Sequence, residues 1–188
     1  MADPQRVPDA DPSRHLDLEE LEARMQALKP APLDEGRVVA LFASPATNQR
    51  IVHERARLTV AGGMPLDGWA LQRKPKPEQQ LATMQGPVAD LIANGQALSM
   101  FGDNLFFDLD LSAANLPPGS QVRAGGALLE VTPEPHDGCR KFKARFGSNA
   151  LKLVSRKPTR DLNLRGIYFK VVEDGEISTG DSVRVVRR

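Results

Sequence analysis

The chain has 188 residues, of which 40% are hydrophobic and 26% charged, with 15 glycines and 15 prolines. This balance excludes collagen-like, low-complexity and wholly disordered proteins and fits one globular domain with a tail. No apolar run approaches the ~18 residues of a membrane helix, and the acidic, proline-containing N-terminus lacks the apolar centre of a signal peptide. We therefore expect a cytoplasmic protein without membrane contact.

Charge is distributed unevenly on either side of the only cysteine, Cys139. Residues 1–138 carry 12 Lys and Arg against 19 Asp and Glu, whereas residues 139–188 carry 13 against 5. This excess of positive charge predicts either an anionic ligand or partner near the C-terminal segment, or a solvated basic face. A single cysteine excludes an intramolecular disulfide and an all-cysteine zinc site.

Residues 1–33 are predicted to form a flexible leader and one helix. Residues 1–12 are rich in Pro and Asp without periodicity, which indicates disorder. In residues 13–29, Asp17 and Glu20 are placed as a capping pair. Apolar side chains recur there at helical spacing, namely Leu18, Leu21, Met25 and Leu28. This amphipathic helix is expected either to pack on its own domain or to dock on a partner.

Beyond Leu33, short apolar or alternating segments end near Gly, Pro, Asn or Asp. We predict strands at residues 37–42, 57–60, 97–100, 104–107, 127–131, 167–172 and 182–186. A hairpin is expected through Gly125 and Gly126. Helix is predicted only over residues 87–93 and after Cys139, too little for a repeating βαβ fold. Residues 34–188 are therefore predicted to be a mainly β domain, a partly closed antiparallel β-barrel with a few peripheral helices.

The segment from His136 to Gly147 carries the strongest chemical indication. Asp137 is positioned as a helix cap and Gly147 as a stop, which places Cys139 in the first turn of a short helix. Four cations follow the cysteine, namely Arg140, Lys141, Lys143 and Arg145. A helix N-terminus and nearby cations favour thiolate over thiol, which suits a nucleophile, a sulfur carrier or a soft-metal ligand. The alternative is a small buried side chain.

Other kinds of site have weaker support. His136 or His53 could serve as the base of a Cys/His pair, but no cysteine-protease signature is present. The three histidines lack zinc-site spacing, and the glycine-rich segments lack the spacing of nucleotide-binding loops. The basic C-terminal segment is not interleaved with aromatic residues, which argues against nucleic-acid binding.

Several short motifs follow one another in a distinctive order. They are Gly62–Trp69, Gln80–Ala82, Phe101–Leu105, Leu129–Thr132, the lone Cys139, Arg165–Tyr168 and Gly175–Val183. This ordered set, over about residues 36–187, resembles the MOSC domain found at the C-terminus of molybdenum cofactor sulfurases. The family often has a histidine where this chain has Leu66–Trp69, so a histidine-dependent role does not transfer. It commonly has Glu where this chain has Asp103.

The resemblance implies a β-barrel that binds molybdenum cofactor, or carries sulfur for it, through Cys139 as the metal ligand. An anionic pterin ending in phosphate suits cationic contacts, and arginine can bind phosphate through two hydrogen bonds. The expected cofactor contacts are Arg140, Lys141, Arg145 and Arg165, with hydrogen bonds from Asn104 and Tyr168. Pyridoxal phosphate is not expected, because the chain has no room for the desulfurase domain of full-length sulfurases.

Two functions are compatible with this resemblance. The first is a molybdenum-dependent oxidoreductase that acts on small N-hydroxylated substrates and receives electrons from a reductase partner. The second is a non-enzymatic carrier that passes persulfide sulfur or cofactor from Cys139 to a molybdoenzyme, after loading by a cysteine desulfurase. The sequence leaves open whether the chain is an enzyme.

Overall fold

The computed structural model describes residues 3–188, which form eleven strands and three α-helices. The strands are β1 (Gln5–Arg6), β2 (Glu35–Ala43), β3 (Gln49–His53), β4 (Arg55–Leu58), β5 (Leu81–Gln85), β6 (Leu105–Asp108), β7 (Gln121–Ala124), β8 (Ala127–Val131), β9 (Ile167–Glu173), β10 (Gly175–Ser178) and β11 (Ser182–Arg187). The helices are α1 (Leu18–Ala27), α2 (Gly86–Ala93) and α3 (Arg140–Ser155). Within the described residues, no helix combines the length and the apolar character needed to cross a membrane.

Seven strands close into a barrel. Their order is β2-β11-β7-β8-β9-β5-β6, and β6 pairs back onto β2. Neighbouring strands are antiparallel except β5 and β6, which are parallel. β1 and β3 extend the sheet beside β2, and β4 pairs with β10 in a separate two-stranded sheet. The predicted mainly β barrel is confirmed, and the pairing of β2 with β6 closes it fully rather than partly.

Alternation along the strands creates two apolar cores. In β9, Ile167, Phe169 and Val171 are buried while the residues between them are half-buried, because successive side chains point to opposite faces. In β2, Leu41 belongs to the core formed by the barrel strands. Its neighbour Phe42 belongs to a second core, which the sheet shares with α1, α2 and α3.

The predicted amphipathic helix forms and packs on its own domain. Asp17 accepts a hydrogen bond from Glu20 N at 2.8 Å and thereby caps the first turn of α1. Leu21 is 1% exposed in the second core, and Leu18 and Met25 pack against the same core. The helix is therefore part of the domain rather than a free docking arm.

The predicted leader contains secondary structure, which the sequence did not indicate. Gln5 and Arg6 pair with Arg50 and Gln49 of β3, and Val7 is 5% exposed in the second core. The expectation of an unstructured leader is therefore wrong for residues 5–7, and residues 1 and 2 lie outside the described residues.

One predicted strand is a turn. Residues 97–100 form a 3-10 turn, in which Met100 N bonds to Ala97 O and Phe101 N to Leu98 O. A mostly apolar run of four residues is too short to separate a strand from a turn. Strands β3, β5 and β10 were not predicted; β5 is buried on both faces along most of its length, so it shows no alternation.

Candidate functional site

A cleft of about 530 Å³ lies beside the carboxyl end of β2 and the amino ends of β5 and β6. The loops that follow β2 and precede β6 form one part of its wall, and the start of α3 forms another. Six of the seven predicted site residues line it: Asn104, Cys139, Lys141, Arg145, Arg165 and Tyr168. Arg140 is exposed and is not among the lining residues, so we leave it out of the proposed site.

Cys139 lies at the N-terminus of α3, at the mouth of the cleft. It is the N-cap residue, its backbone is extended, and its carbonyl accepts a hydrogen bond from Lys143 N at 3.0 Å. The predicted cap Asp137 is therefore wrong, because the helix begins two residues later. The side chain of Cys139 is exposed, which excludes the alternative of a small buried cysteine.

Gly147 interrupts α3, which then continues to Ser155. Its φ of +89° lies in a region that other residues rarely adopt. A Cβ atom at this position would also lie 3.1 Å from the ring of His15. The predicted stop at Gly147 is thus a break between two helical segments rather than the end of the helix.

Two guanidinium groups converge on consecutive backbone carbonyls at the cleft. Arg50 is 6% exposed and donates from Nε and Nη2 to Phe101 O at 3.0 and 2.7 Å. Arg145 donates from Nη1 to Met100 O at 2.5 Å and from Nη2 to Asn48 Oδ1 at 3.0 Å. The 3-10 turn at residues 98–100 and the residue after it therefore hold the guanidinium of Arg50, from β3, beside that of Arg145, from α3.

This pair of cations leaves positive charge available in the cleft. Burial lowers the pKa of Arg50, and repulsion from Arg145 lowers it further, while Asp103 and Asp67 oppose these effects. Burial also lowers the pKa of Arg145, an effect that the charge of Cys139 opposes. Within residues 3–188, the hydrogen bonds of both guanidiniums go to carbonyl oxygens, so no carboxylate neutralises either one directly. Such charges favour an anionic ligand.

Arg165 lines the same cleft and forms a buried ion pair. Its Nη1 lies 2.9 Å from both carboxylate oxygens of Asp103, and the two side chains are 7% and 0% exposed. The guanidinium carbon lies 5.1 Å from the centroid of the Phe142 ring, a distance suited to a cation–π contact. Nε of Arg165 is buried without a hydrogen-bond partner among the described residues.

His136 packs behind this pair and against Tyr168. Nδ1 of His136 is 3.6 Å from Oδ1 of Asp103, and its ring centroid lies 4.5 Å from that of Tyr168. Burial, reinforced by Arg165 and opposed by Asp103, lowers the pKa of His136 to about 4, so the ring is neutral at pH 7. Burial also raises the pKa of Tyr168, with Asp103 contributing, so its phenol stays protonated.

The alternative of a Cys/His pair has no support from the cleft. The residues that line it with Cys139 include neither His136 nor His53. His136 faces Asp103 and Tyr168 instead, and His53 lies at the end of β3. Among residues 3–188, no hydrogen bond joins the thiol of Cys139 to either histidine.

Asn104 and Asp67 join the segments that form the cleft wall. Asn104 accepts from Ala82 N at 3.1 Å and donates to Phe42 O at 3.2 Å and to Asp67 Oδ2 at 2.8 Å. Asp67 also accepts from the backbone amides of Ser44, at 2.7 Å, and of Trp69, at 2.8 Å. Asn104 lines the cleft, but much of its hydrogen-bonding capacity is used within the protein. Asp67 thus joins its own loop to the loop that follows β2 and to the segment that precedes β6.

Sequence reasoning did not identify Arg50 or Asp103 as site residues. Arg50 lies in β3, which was not predicted, and no motif surrounds it. Asp103 lies in the motif Phe101–Leu105, but its partner Arg165 is distant in sequence. Among residues 3–188, no group of three or more His, Cys, Asp or Glu side chains is arranged to hold a metal ion.

Several solved structures share this architecture. YuaD from Bacillus subtilis has a TM-score of 0.61 at 16% identity, covering 80% of this chain and 95% of that chain. YiiM from Geobacillus stearothermophilus has a TM-score of 0.54 at 17% identity, covering 85% and 76%. YiiM from Escherichia coli has a TM-score of 0.53 at 20% identity, covering 81% and 70%. At these identities the similarity establishes a common fold.

Sequence comparison gives the family. No curated protein is significantly similar to the chain. The family model described as the MOSC domain matches residues 78–184, more than half of the chain, including Asn104, Cys139 and Arg165 of the cleft. This match confirms the resemblance drawn from the ordered motifs, and the chain belongs to the MOSC domain family.

Proposed function

We propose that this chain binds molybdenum cofactor in the cleft and reduces small N-hydroxylated substrates, with Cys139 as the protein ligand to the metal. The observation that carries the proposal is the position of the only thiol. It lies exposed at one cleft that is also lined by Arg50, Lys141, Arg145 and Arg165. MOSC domains are associated with this cofactor, and the chain is a member of that family.

The side chains of the cleft fit the chemistry of the cofactor. A thiolate is a suitable soft ligand for molybdenum, and the metal would take its remaining ligands from the cofactor and solvent. Arg50 and Arg145 offer adjacent guanidiniums without a carboxylate partner in the described residues, which suits a terminal phosphate. Lys141 is exposed beside them and would add a third cation.

Each residue then has a defined task. Arg50, Lys141 and Arg145 would bind the anionic end, and Cys139 would fix the metal end. Tyr168, with its raised pKa, stays a neutral hydrogen-bond donor at the cleft wall. When bound, the cofactor supplies two-electron redox chemistry.

The reaction must balance two electrons and two protons. Reduction of R–NHOH breaks the N–O bond and gives R–NH₂ and water, while a reductase partner of the flavin or iron–sulfur class is oxidised. The protons come from solvent, which reaches the open cleft.

Metal and pterin analysis after expression in a cofactor-competent host tests the proposal. Wild type should contain both, Cys139→Ser should lose molybdenum, and Arg145→Gln should lose pterin. Lys152→Gln is the matched control, because Lys152 is an exposed cation on the same helix outside the cleft, and it should load like wild type. Absence of both groups from wild type, in a host that loads a known molybdoenzyme, would refute the proposal.

A second function is favoured by the exposure of Cys139. An exposed cysteine at a helix N-terminus can reach a persulfide on a cysteine desulfurase. The thiolate would attack the outer sulfur, forming a new S–S bond on Cys139 and releasing the desulfurase thiolate. The chain would then carry sulfur, or cofactor, to a molybdoenzyme without catalysing a reaction of its own.

Mass spectrometry separates the two functions. After incubation with a desulfurase and cysteine, a carrier should gain one sulfur atom on Cys139, and Cys139→Ser should gain none. Turnover of an N-hydroxylated base with a reductase, without any gain of sulfur, would reject the carrier and support the oxidoreductase.

A further inference from the structure

A second cavity, of about 560 Å³, lies next to the cleft. Its floor includes Ile51 and Met64, which are 2% and 1% exposed and belong to the core formed by the barrel strands. Its rim includes Leu66 and Leu71, which are 47% and 82% exposed. We call this cavity the apolar pocket. The remaining lining consists of three prolines, two small residues and two carboxylates, namely Pro4, Pro45, Pro65, Gly62, Ala70, Asp3 and Asp67.

The apolar pocket and the cleft share a wall. Pro45 and Asp67 line both cavities. Asp67 is held in place by hydrogen bonds from Ser44 N at 2.7 Å and from Asn104 Nδ2 at 2.8 Å. A ligand that occupies both cavities would therefore cross a wall formed by two segments, which the hydrogen bond from Ser44 N to Asp67 joins.

The rim is held in an unusual backbone conformation. Leu66 has φ +63°, in the left-handed region that leucine rarely adopts. The next residue, Asp67, bonds through its backbone N to Met64 O at 3.2 Å and through its carboxylate to Trp69 N at 2.8 Å. The fold thus keeps a half-exposed leucine at the rim. Exposed apolar side chains around a concave surface are typical of ligand sites.

We propose that the apolar pocket binds the apolar portion of a small neutral molecule whose polar, reactive group lies in the cleft. Its volume is in the range of small-molecule sites, about 300–1,000 Å³. The two cavities have different linings, since the cleft contains cations whereas the pocket is lined mainly by aliphatic side chains and prolines. A molecule with one polar and one apolar end matches this difference. Leu66 and Leu71 would then determine specificity for the apolar group. That this molecule is the substrate rests on the proposed function, but apolar binding in the pocket does not.

Titration of cofactor-free protein with the neutral fluorescent probe N-phenyl-1-naphthylamine tests apolar binding. Wild type should bind it saturably. Ala70→Trp should fill the pocket and abolish binding, and Leu71→Ser should raise the Kd about fivefold or more. Val186→Ser is the matched control, since Val186 is an exposed apolar residue outside both cavities, at 50% exposure, and its Kd should equal that of wild type.

Two results would overturn apolar binding in the pocket. One is a wild type without saturable binding, or with a Kd that neither Ala70→Trp nor Leu71→Ser changes. The other is a dimer, seen by sedimentation, that excludes the probe and that Leu71→Ser dissociates. In that case a second copy of the chain covers the pocket.

Kinetics of the cofactor-loaded protein test the substrate assignment. Leu71→Ser should raise KM for an N-hydroxylated substrate that carries an apolar ring, and should leave KM for hydroxylamine unchanged. Equal effects on both substrates would overturn the assignment. If loaded wild type reduces neither, the proposed function and the substrate assignment both fail, whereas the probe titration still decides whether the pocket binds apolar molecules.

Discussion

Removal of Asp103 should strongly destabilise the protein, because it leaves the guanidinium of Arg165 buried without its partner. The two side chains are 7% and 0% exposed and are joined at 2.9 Å. Loss of one member of such a buried pair costs about 3–5 kcal/mol. For a chain of this size, each kcal/mol lowers Tm by about 2–4 °C, so Asp103→Leu should lower Tm by about 6–20 °C.

The double variant Asp103→Leu/Arg165→Met separates charge from packing. It removes both charges and places an apolar side chain near Phe142. In the wild-type protein the Phe142 ring centroid lies 5.1 Å from the guanidinium carbon of Arg165. Replacement of a buried ion pair by apolar residues is often neutral or stabilising, so the double variant should recover most of the lost stability. Its affinity for an anionic ligand should change little, since Asp103 already offsets the charge of Arg165.

Urea unfolding at pH 7, followed by circular dichroism, measures these changes. Glu35→Gln provides a control for an exposed pair, since the side chains of Arg184 and Glu35 are 63% and 51% exposed. Its cost should be far smaller than that of Asp103→Leu, because water screens an exposed pair. A loss below ~1 kcal/mol in Asp103→Leu, or a double variant as unstable as that single variant, would refute the buried-charge argument.

The remaining predictions concern titration and access. The pKa of His136 falls from 6.5 to about 4 on folding, so the free energy of unfolding should be highest above pH 6.5 and should fall by about 3 kcal/mol as the pH falls towards 4. His136→Phe should flatten this pH dependence, and an unchanged slope would contradict the prediction. Tyr168 is the only tyrosine, so phenolate absorbance should show a pKa above 10.0 that Asp103→Asn lowers; a wild-type midpoint at or below 10.0 would count against its burial. Cys139, the only cysteine, should react with one equivalent of iodoacetamide in native, ligand-free protein, and Cys139→Ser with none; a requirement for denaturant would contradict its exposure.

The sequence predicted those helices and strands whose formation depends on neighbouring residues. Alternation marked β9, and Asp17 marked the start of α1, because side-chain periodicity and capping depend on adjacent residues. For the candidate cleft, a thiol followed by cations indicated an anionic, soft-metal ligand, whereas the resemblance to the MOSC domain was needed to add Asn104, Arg165 and Tyr168. The exception is Arg140, whose residue type fits but whose position on α3 keeps it out of the cleft.

Features that depend on distant contacts were not predictable in this way. Closure of the barrel requires β2 to pair with β6, and no short-range pattern encodes that register. Strand β5 is buried on both faces, so its sequence resembles any apolar segment. The pairing of Gln5 and Arg6 with β3 likewise depends on a strand 43 or more residues away, which the composition of the leader does not reveal.

The positive charge of the cleft results from how its arginines are held. Carboxylate partners would orient Arg50 and Arg145 but would also neutralise them. Carbonyl oxygens of Met100 and Phe101 orient the two guanidiniums without cancelling their charge. Arg165 shows the contrast, because Asp103 holds it and offsets its charge. The anion affinity expected of the cleft should therefore depend mainly on the pair held by backbone, which only the folded 3-10 turn brings together.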